Sequence, residues 1–395
     1  MRIETDEGVA LVGREALRGI VLEEVLARLL QDNGYKLLVS EEQDPDALKQ
    51  AKHGLLVRGR GGEHQADVLG ELDLPVPFSL PLRLFVEAKY TKQKVGMPVV
   101  RNAHGTIHDV NEQFSPLSSG TGTHSVPIRR YQYRYTLFSA SGFSMEAQRY
   151  ALAQQISLVD LSGSGFSSLL DMVADIAEAA YLLARDYGII RFPVGQMRAE
   201  LRRVLHTWTG GFVTYTEFDE FDNQENWNLD SDVTFELHTV SGGARKTRPQ
   251  ARKRRPQALP GEELTAIVTE LLHRDRVGNL VVGFPSAPFI LVMRAESRAE
   301  FLIFLTRHPT SEIYVNIEFA DRGQHDGDWV IVPSDGSQRF RLIFALPDLL
   351  AEWLLNNDGP AAPRVRDIKR GMLSSIVIFH ESRLLRLLYE PHRGR

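Results

Sequence analysis

The chain of 395 residues contains no cysteine. This absence excludes disulfide bonds, zinc sites built on thiolates and thiol nucleophiles, and nothing in it implies an oxidising compartment. No apolar run is long enough to cross a bilayer. The first residues also lack the basic and then apolar pattern of a secretory signal. We therefore expect a cytoplasmic protein without a membrane partner.

The chain also lacks a strong net charge. Its formal value of -5 at pH 7 gives no global basic field of the kind that marks many nucleic-acid-binding proteins, so any such contact has to come from local patches. Apolar residues make up 43% and charged residues 25% of the chain, which is ordinary for a globular protein with a full core. This length accommodates one to three domains.

Helical and strand patterns alternate in the first part of the chain. Apolar residues recur at helical spacing between Gly19 and Asn33, and Gly34 supplies a stop signal. Further strands are predicted at 36–39, 55–58, 134–140 and 156–161, and a helix at 144–155 with Ser144 as its cap. This order predicts an α/β fold.

Two further strand patterns carry a set of charged side chains. Asp67 lies in a short apolar run, and Glu87 and Lys89 end a longer one. Residues i and i+2 of a strand share a face, so Glu87 and Lys89 point to the same side while Ala88 points into packing. Two carboxylates beside a lysine are typical of a site that binds a hard metal ion next to a water or a phosphate.

These residues also have simpler explanations. A solvent-facing ion pair on an edge strand would place Glu87 next to Lys89 equally well. Asp67 would also suit a turn after Gly61 and Gly62. The apolar neighbours of Asp67 argue against a turn, since turns favour polar neighbours.

Several segments, in their order along the chain, together resemble a known family. They are 19–23 on the first helix, 34–35 after it, 62–67 around the first acid, 87–89 with the second acid and the lysine, and 138–144, 147–151 and 156–161 in a distal strand–helix–strand. They resemble the Mrr-like branch of the PD-(D/E)xK restriction-endonuclease superfamily, over roughly residues 10–165. An isolated Asp…Glu-x-Lys arises often by chance, and the order of the elements gives this one its weight.

The resemblance implies both a fold and a chemistry. The fold is a restriction-endonuclease-like core, with a central mixed sheet flanked by helices. Asp67, Glu87 and the backbone carbonyl of Ala88 would ligate Mg²⁺, for which Mn²⁺ would substitute. Lys89 would hold or help to deprotonate the attacking water and offset charge on the phosphorane.

The first helix adds a third acid to this set. By the resemblance, Glu23 would reach in from the helix and bind a metal-associated water or a second ion. Glu24 is adjacent, and a helix rotated by one residue would present Glu24 instead. Glutamates on helices are also often just solvated, so the sequence leaves this choice open.

The implied reaction is hydrolysis of a phosphodiester in nucleic acid, with double-stranded DNA as the favoured substrate and bacterial defence against foreign DNA as the role. Cations that suit phosphate contact are Lys92, Lys94, Arg129, Arg130 and Arg134. A solvated strand end explains the lysines equally well, and strand alternation explains the arginines. The alternative function is a catalytically silent nuclease-fold protein that binds nucleic acid or a partner protein.

The glycine-rich segment 59–62 lacks the Gly-Lys-Ser/Thr of a phosphate-binding loop. It therefore does not predict binding of a nucleoside triphosphate. The pattern indicates instead a close approach of backbone to the strand that carries a predicted metal ligand, or to DNA.

Composition divides the chain into four parts. We expect a nuclease domain at 1–165, a helical extension with an acidic segment at 166–240, a basic, proline-containing linker at 241–260 and a separate C-terminal α+β domain at 261–395. The acidic segment holds eight acids within 217–236, and the linker holds seven cations within 245–255. The C-terminal domain would recognise a target, an activator or another regulatory partner. Double-strand cutting with one site per chain would favour a homodimer.

Overall fold

The computed structural model describes residues 4–6, 9–11, 13–51, 54–72, 80–118, 125–189, 192–207, 258–274, 279–287, 289–308, 310–319, 329–337, 339–355, 361–380 and 383–391. The acidic stretch 217–236 and the basic stretch 245–255 lie outside these residues. Each helix in the described ranges is too short or too polar to traverse a bilayer.

The helices are α1 (Arg14–Asp32), α2 (Met97–Asn111), α3 (Met145–Ala153), α4 (Ser167–Asp186), α5 (Val194–Leu205), α6 (Gly261–Arg274), α7 (Arg298–Arg307), α8 (Asp348–Leu355) and α9 (Ala361–Gly371). The strands of the N-terminal half are β1 (Glu4–Asp6), β2 (Val9–Leu11), β3 (Tyr35–Leu37), β4 (Leu48–Ala51), β5 (Gly54–Arg58), β6 (Glu63–Gln65), β7 (Val68–Leu72), β8 (Leu82–Lys89), β9 (Ser115–Ser118), β10 (Ser125–Ile128), β11 (Gln132–Ser139) and β12 (Ser157–Asp160). The C-terminal strands are β13 (Leu280–Pro285), β14 (Leu291–Ala295), β15 (Glu312–Phe319), β16 (Trp329–Pro333), β17 (Leu342–Phe344), β18 (Ser375–His380) and β19 (Arg383–Tyr389).

A mixed sheet of five strands, in the order β12-β11-β8-β7-β3, forms the centre of the N-terminal half. Strand β11 is parallel to β8 and β12, whereas β7 is antiparallel to β8 and to β3. A smaller antiparallel sheet, β4-β5-β6, lies beside it. The α/β class and the mixed sheet with its helices are as the sequence predicted.

Side-chain alternation along β8 divides the core between the two faces of the sheet. Leu84 and Val86 join the apolar cluster formed with α1 and α4. Phe85 joins a second cluster, formed with α2, α3 and the smaller sheet. Because successive residues of a strand point to opposite faces, Glu87 and Lys89 continue the face of Phe85.

Local sequence signals explain several element ends. Helix α1 ends at Asp32 with Asn33 as its C-cap, and Gly34 follows with φ of +83°, a left-handed conformation that glycine adopts without steric cost. Ser144 caps α3 by accepting a hydrogen bond from the backbone N–H of Ala147 at 3.2 Å. Both features match the sequence-based expectation.

A closed sheet forms the C-terminal unit, here called the C-terminal barrel (residues 280–389). Its strand order is β13-β14-β17-β16-β15-β19-β18, and β18 pairs back to β13. The strands pair antiparallel except β15 with β19. Buried aromatic side chains fill the interior, including Phe301 of α7 and Trp329 of β16. A separate C-terminal unit of strands and helices agrees with the prediction, although the closure of its sheet was not predicted.

Helix α6 packs with the N-terminal half, whereas the predicted boundary at 261 assigned it to the C-terminal domain. Leu264 and Val268 lie on one face of α6 and are buried in the same cluster as Leu201 of α5 and Val173 of α4. Thr265 also donates a hydrogen bond to Glu200 of α5 at 2.8 Å. Helical spacing shows that α6 is amphipathic, but it does not show which layer covers its apolar face.

Candidate active site

The carboxyl ends of β8, β11 and β12 meet at one edge of the central sheet, because these strands run parallel. The loops that follow β8 and β11 are joined there: Val95 pairs with Phe143, and the N–H of Val95 donates to the carbonyl of Gly142 at 2.9 Å. Such edges are where open α/β sheets place their ligand sites. Glu87 and Lys89 stand at this edge.

Asp67 is fixed beside the end of β8 by backbone hydrogen bonds. It immediately precedes β7, and β7 is antiparallel to β8, so the start of one strand lies next to the end of the other. The Asp67 N–H donates to the carbonyl of Val86 at 3.1 Å. Its carboxylate atom Oδ2 accepts from the N–H of Ala88 at 2.8 Å. The structure therefore seats Asp67 next to the Glu87–Lys89 pair, as a bend before the strand rather than within it.

Both carboxylate oxygens of Glu87 have partners. Lys89 Nζ lies 2.6 Å from Oε1, and the hydroxyl of Tyr135 donates to Oε2. Tyr135 stacks on Phe85 with ring centroids 4.8 Å apart, and the two residues are register partners on β11 and β8. The pairing of Glu87 with Lys89 on one face agrees with the sequence prediction.

Tyr135 is a site residue that the sequence reasoning did not assign. It lies in a run that interleaves cations with aromatic residues, which suits contact with nucleic acid and strand alternation equally well. Residues i and i+2 share a face, so alternation places Tyr135 with Leu137 on the face of β11 that borders Glu87. Strand pairing, which the sequence does not give, is what makes the contact.

Of the two adjacent glutamates on α1, Glu23 interacts with the acid cluster. Its charge raises the pKa of Asp67 and contributes to raising that of Lys89. Glu24 is almost fully buried and accepts hydrogen bonds from Arg198 at 2.9 Å and from Arg202 at 2.9 and 3.1 Å. Glu23 therefore acts electrostatically on the acids of the site, while it also bonds to Arg198 of α5. Glu24 is held by α5.

The charges of the cluster shift its titration. Burial raises the pKa of Asp67 to about 7, and the neighbouring carboxylates of Glu23 and Glu87 add to this effect, opposed by the N–H of Ala88 and by Lys89. Burial alone would lower the pKa of Lys89, but Glu87 and Asp67 raise it above its usual range. Lys89 is therefore cationic at neutral pH.

The donor set fits a hard divalent cation. Asp67 and Glu87 offer carboxylate oxygens, and Ala88 offers its backbone carbonyl oxygen. Burial is the main cause of the raised pKa of Asp67, and the nearby carboxylates of Glu23 and Glu87 add negative charge that such an ion would offset. Within the described residues, no group of three or more acidic or histidine side chains surrounds a common point. Mg²⁺ needs only one or two carboxylates, because it retains waters and binds substrate phosphates.

The structure brings the two predicted lysines near the site edge. Lys92 and Lys94 lie in the loop that follows β8, with side chains 82% and 60% exposed. Lys92 pairs with Glu15 of α1 at 2.7 Å, and Lys94 lies 3.6 Å from Asp348 of the C-terminal barrel. Both are accessible to a polyanion.

The three predicted arginines lie elsewhere. Arg129 and Arg130 precede β11, and Arg134 is near its start, at the end of the sheet opposite to the carboxylates. Arg134 is level with Leu84, three positions before Glu87, which is roughly 10 Å along the strand at about 3.3 Å per residue, and Arg129 and Arg130 come before the strand begins. Arg130 bonds to Asp44 and Asp46 at 3.1 and 3.0 Å. The structure therefore does not bring these arginines together with Asp67 and Glu87.

The glycine-rich segment 59–62 approaches the end of α2 rather than the strands that carry the predicted metal ligands. The N–H groups of Gly61 and Gly62 donate to the carboxylate of Asp109 at 2.7 and 3.2 Å, and His64 Nε2 lies 2.7 Å from the same group. A Cβ at Gly59 would lie 2.0 Å from Asp109 Oδ2. The glycines allow backbone to close around a carboxylate of the protein itself.

Comparisons with known proteins give little. No family model matches the chain, and no curated protein matches it significantly. One solved structure, entitled "Crystal Structure of Protein of Unknown Function AF1548", is 16% identical, with a TM-score of 0.26, over 51% of this chain and 93% of that chain. Another, the MspJI restriction endonuclease in complex with a 27-mer oligonucleotide, is 16% identical, with a TM-score of 0.23, over 53% of this chain and 36% of that chain. Likenesses at these scores carry no argument about fold or activity.

Proposed function

We propose that the N-terminal half of this chain is a metal-dependent endonuclease of the restriction-endonuclease-like, Mrr-like PD-(D/E)xK type, which hydrolyses phosphodiester bonds of DNA. The observation that carries the proposal is the hydrogen bond from Ala88 N–H to Asp67 Oδ2. It seats one acid beside the strand end that presents Glu87 and Lys89. Two carboxylates and a cationic lysine at an open sheet edge suit hydrolysis of a phosphodiester.

Asp67, Glu87 and the Ala88 carbonyl are the groups that would hold the ion. A bound Mg²⁺ or Mn²⁺ supplies Lewis-acid activation of the phosphate and of the nucleophile. The hydrogen bond from Ala88 keeps Asp67 in one orientation, and the hydroxyl of Tyr135 does the same for Glu87. Preorganised ligands avoid reorganisation during the reaction.

Lys89 has the second role. Its Nζ is held 2.6 Å from Glu87 Oε1 and carries a positive charge at neutral pH. From there it would orient the attacking water and offset the additional negative charge on the pentacoordinate phosphorus. Glu23 would order a further water at the site, from the side of α1.

We further propose duplex DNA as the substrate, with Lys92 and Lys94 contacting its backbone next to the site. Foreign DNA in a bacterial cytoplasm is the target that the family resemblance implies. The C-terminal barrel would bind an activator or another regulatory partner, and a homodimer would allow both strands to be cut.

Plasmid cleavage by the purified full chain tests the activity. With Mg²⁺ or Mn²⁺ the wild type should cut, and Asp67→Asn and Lys89→Met should each lower the rate by about 100-fold or more. The first change removes the charge of a proposed metal ligand, and the second removes the cation that acts at the phosphate. Lys49→Met is the matched control, since Lys49 forms an exposed ion pair with Glu63 on the smaller sheet. Cutting that persists in both site variants would end the assignment.

A second candidate is a nuclease-fold protein that binds DNA without cutting it. Each carboxylate oxygen of Glu87 already has a partner, Lys89 for Oε1 and Tyr135 for Oε2. This favours the second candidate, because an oxygen with a partner is less available to a metal ion. Wild type that never cuts, even with foreign DNA or nucleotides added, yet binds duplex DNA in a gel-shift assay through Lys92 and Lys94 would support it. Calorimetric binding of Mn²⁺ that Asp67→Asn abolishes would favour the enzyme.

A further inference from the structure

Helix α5 lies outside the segments that resemble a nuclease, yet it reaches the acids of α1. Arg198 in its second turn donates from Nη2 to Glu23 Oε2 at 2.5 Å and from Nη1 to Glu24 Oε1 at 2.9 Å. One guanidinium thus bridges two consecutive carboxylates. The planar fork of arginine suits this arrangement, whereas the single ammonium of lysine does not.

The contact is largely removed from solvent. The side chain of Arg198 is 24% exposed and that of Glu23 is 18% exposed. In such surroundings an ion pair is favourable only when the two groups are well aligned, and loss of one partner leaves an uncompensated charge. Glu23 in turn interacts electrostatically with Asp67 and Lys89. Arg198 is therefore connected to the acid cluster through one intervening side chain.

We propose that Arg198 is a positioning residue of the nuclease site, an inference that rests on the proposed function. By binding Oε2 it fixes the orientation of the Glu23 carboxylate. Among the hydrogen bonds of the described residues, Glu23 uses only this oxygen, so Oε1 remains for the site. The guanidinium also offsets one negative charge in the cluster that Glu23 forms with Asp67 and Glu87.

Arg202 provides a matched control within the same network. It lies one turn further along α5 and bonds twice to Glu24, from Nε at 2.9 Å and from Nη2 at 3.1 Å. Among the hydrogen bonds of the described residues, Arg202 makes none to Glu23. Its charge lowers the pKa of Glu23 less than that of Arg198 does. Its side chain is 29% exposed, close to the value for Arg198. Loss of Arg202 weakens the packing of α5 on α1 without freeing Glu23.

Steady-state cleavage by the full chain tests the proposal. Arg198→Met should lower kcat by roughly 10- to 100-fold, the usual effect of losing a group that orients a site residue, with KM for plasmid changed by less than about threefold. Arg198→Lys should restore part of kcat, because the charge returns without the fork. Arg202→Met should keep kcat within about threefold of wild type.

Calorimetric titration of the metal-free protein with Mn²⁺ alone gives a readout that does not depend on activity. Arg198→Met should bind the ion about threefold or more tightly, because one positive charge has left the cluster. Arg202→Met should show a smaller gain in affinity, because the charge of Arg202 acts on Glu23 more weakly. Three results would each overturn the proposal: equal losses of kcat in the two variants, a wild-type kcat in Arg198→Met, or an Mn²⁺ affinity of Arg198→Met equal to that of wild type. A wild type that cuts nothing, with an Mn²⁺ affinity that still responds to Arg198→Met, would refute the nuclease function alone.

Discussion

At the scale of single residues, Tyr135 and Tyr133 form a natural pair for comparison. They stand two positions apart on β11, and their hydroxyls bind different partners: Glu87 for Tyr135 and Arg83, at 2.9 Å, for Tyr133. Tyr135→Phe frees Glu87 Oε2 and should lower kcat by roughly tenfold, since an orienting hydrogen bond is lost. The check is single-turnover cleavage under saturating Mg²⁺.

The control for this prediction is Tyr133→Phe. It removes a buried hydroxyl from Arg83, which should lower the free energy of unfolding by about 1 kcal/mol and leave kcat unchanged. If both variants reduced kcat alike, the effect would belong to the stability of β11 rather than to the orientation of Glu87.

The raised pKa of Asp67 predicts a pH-dependent stability of the metal-free protein. Its carboxyl has an ordinary pKa of 3.8 and a folded-state pKa of about 7, so the folded state binds the proton more tightly. The resulting stabilisation is fully present below pH 4 and is lost as pH rises through 7. Between pH 5 and 8, wild type should lose on the order of 2 kcal/mol more than Asp67→Asn.

Urea denaturation in a chelator, repeated at several pH values, measures this difference. Addition of Mg²⁺ at pH 8 should raise the wild-type midpoint, because a cation replaces the proton, and should not raise that of Asp67→Asn. Parallel pH profiles for the two proteins would show that Asp67 titrates normally.

At the scale of elements, the sequence predicted those whose ends and periods are local. Helix α1 has a regular apolar stripe and a glycine stop, and α3 has a serine cap. Helix α2 was missed, because its buried side chains are few and interleaved with polar ones: Val100, Ala103, Thr106 and Val110. Its apolar stripe is recognisable only against Val95, Leu137 and their neighbours in the folded core.

The candidate site shows the same limit. Asp67, Glu87 and Lys89 could be found because strand alternation and the spacing of two acids are local properties. Tyr135 and Arg198 could not, since each contacts the site through pairing or packing between elements far apart in the chain. The three arginines near β11 were grouped with the site by their composition, whereas the direction of the strand puts them at its other end.

At the scale of the whole molecule, α1 connects the acid cluster to the C-terminal barrel. Glu23 lies midway along α1, and Asn33 at its end accepts a hydrogen bond from the N–H of Val282 in β13 at 2.7 Å. Leu280 and Val282 share a buried cluster with α1 and α4. The barrel is therefore packed directly on the helix that supplies Glu23, which is a physical connection through which a bound partner would act on the site.

Asn33→Ala tests how far this contact couples the two halves. It leaves the buried N–H of Val282 without its acceptor, which should lower the free energy of unfolding by about 1–3 kcal/mol. The loss should weaken the packing between the two halves. In chemical denaturation followed by hydrogen exchange, the barrel should open at lower denaturant than the central sheet, so that one transition becomes two.

Asn111→Ala is the control, because Asn111 bonds to the backbone of Tyr133 within the N-terminal half. That variant should lower the stability of the sheet and leave the barrel protected. A single transition in Asn33→Ala, with an unchanged midpoint, would mean that the apolar contacts of Leu280 and Val282 alone hold the barrel on α1.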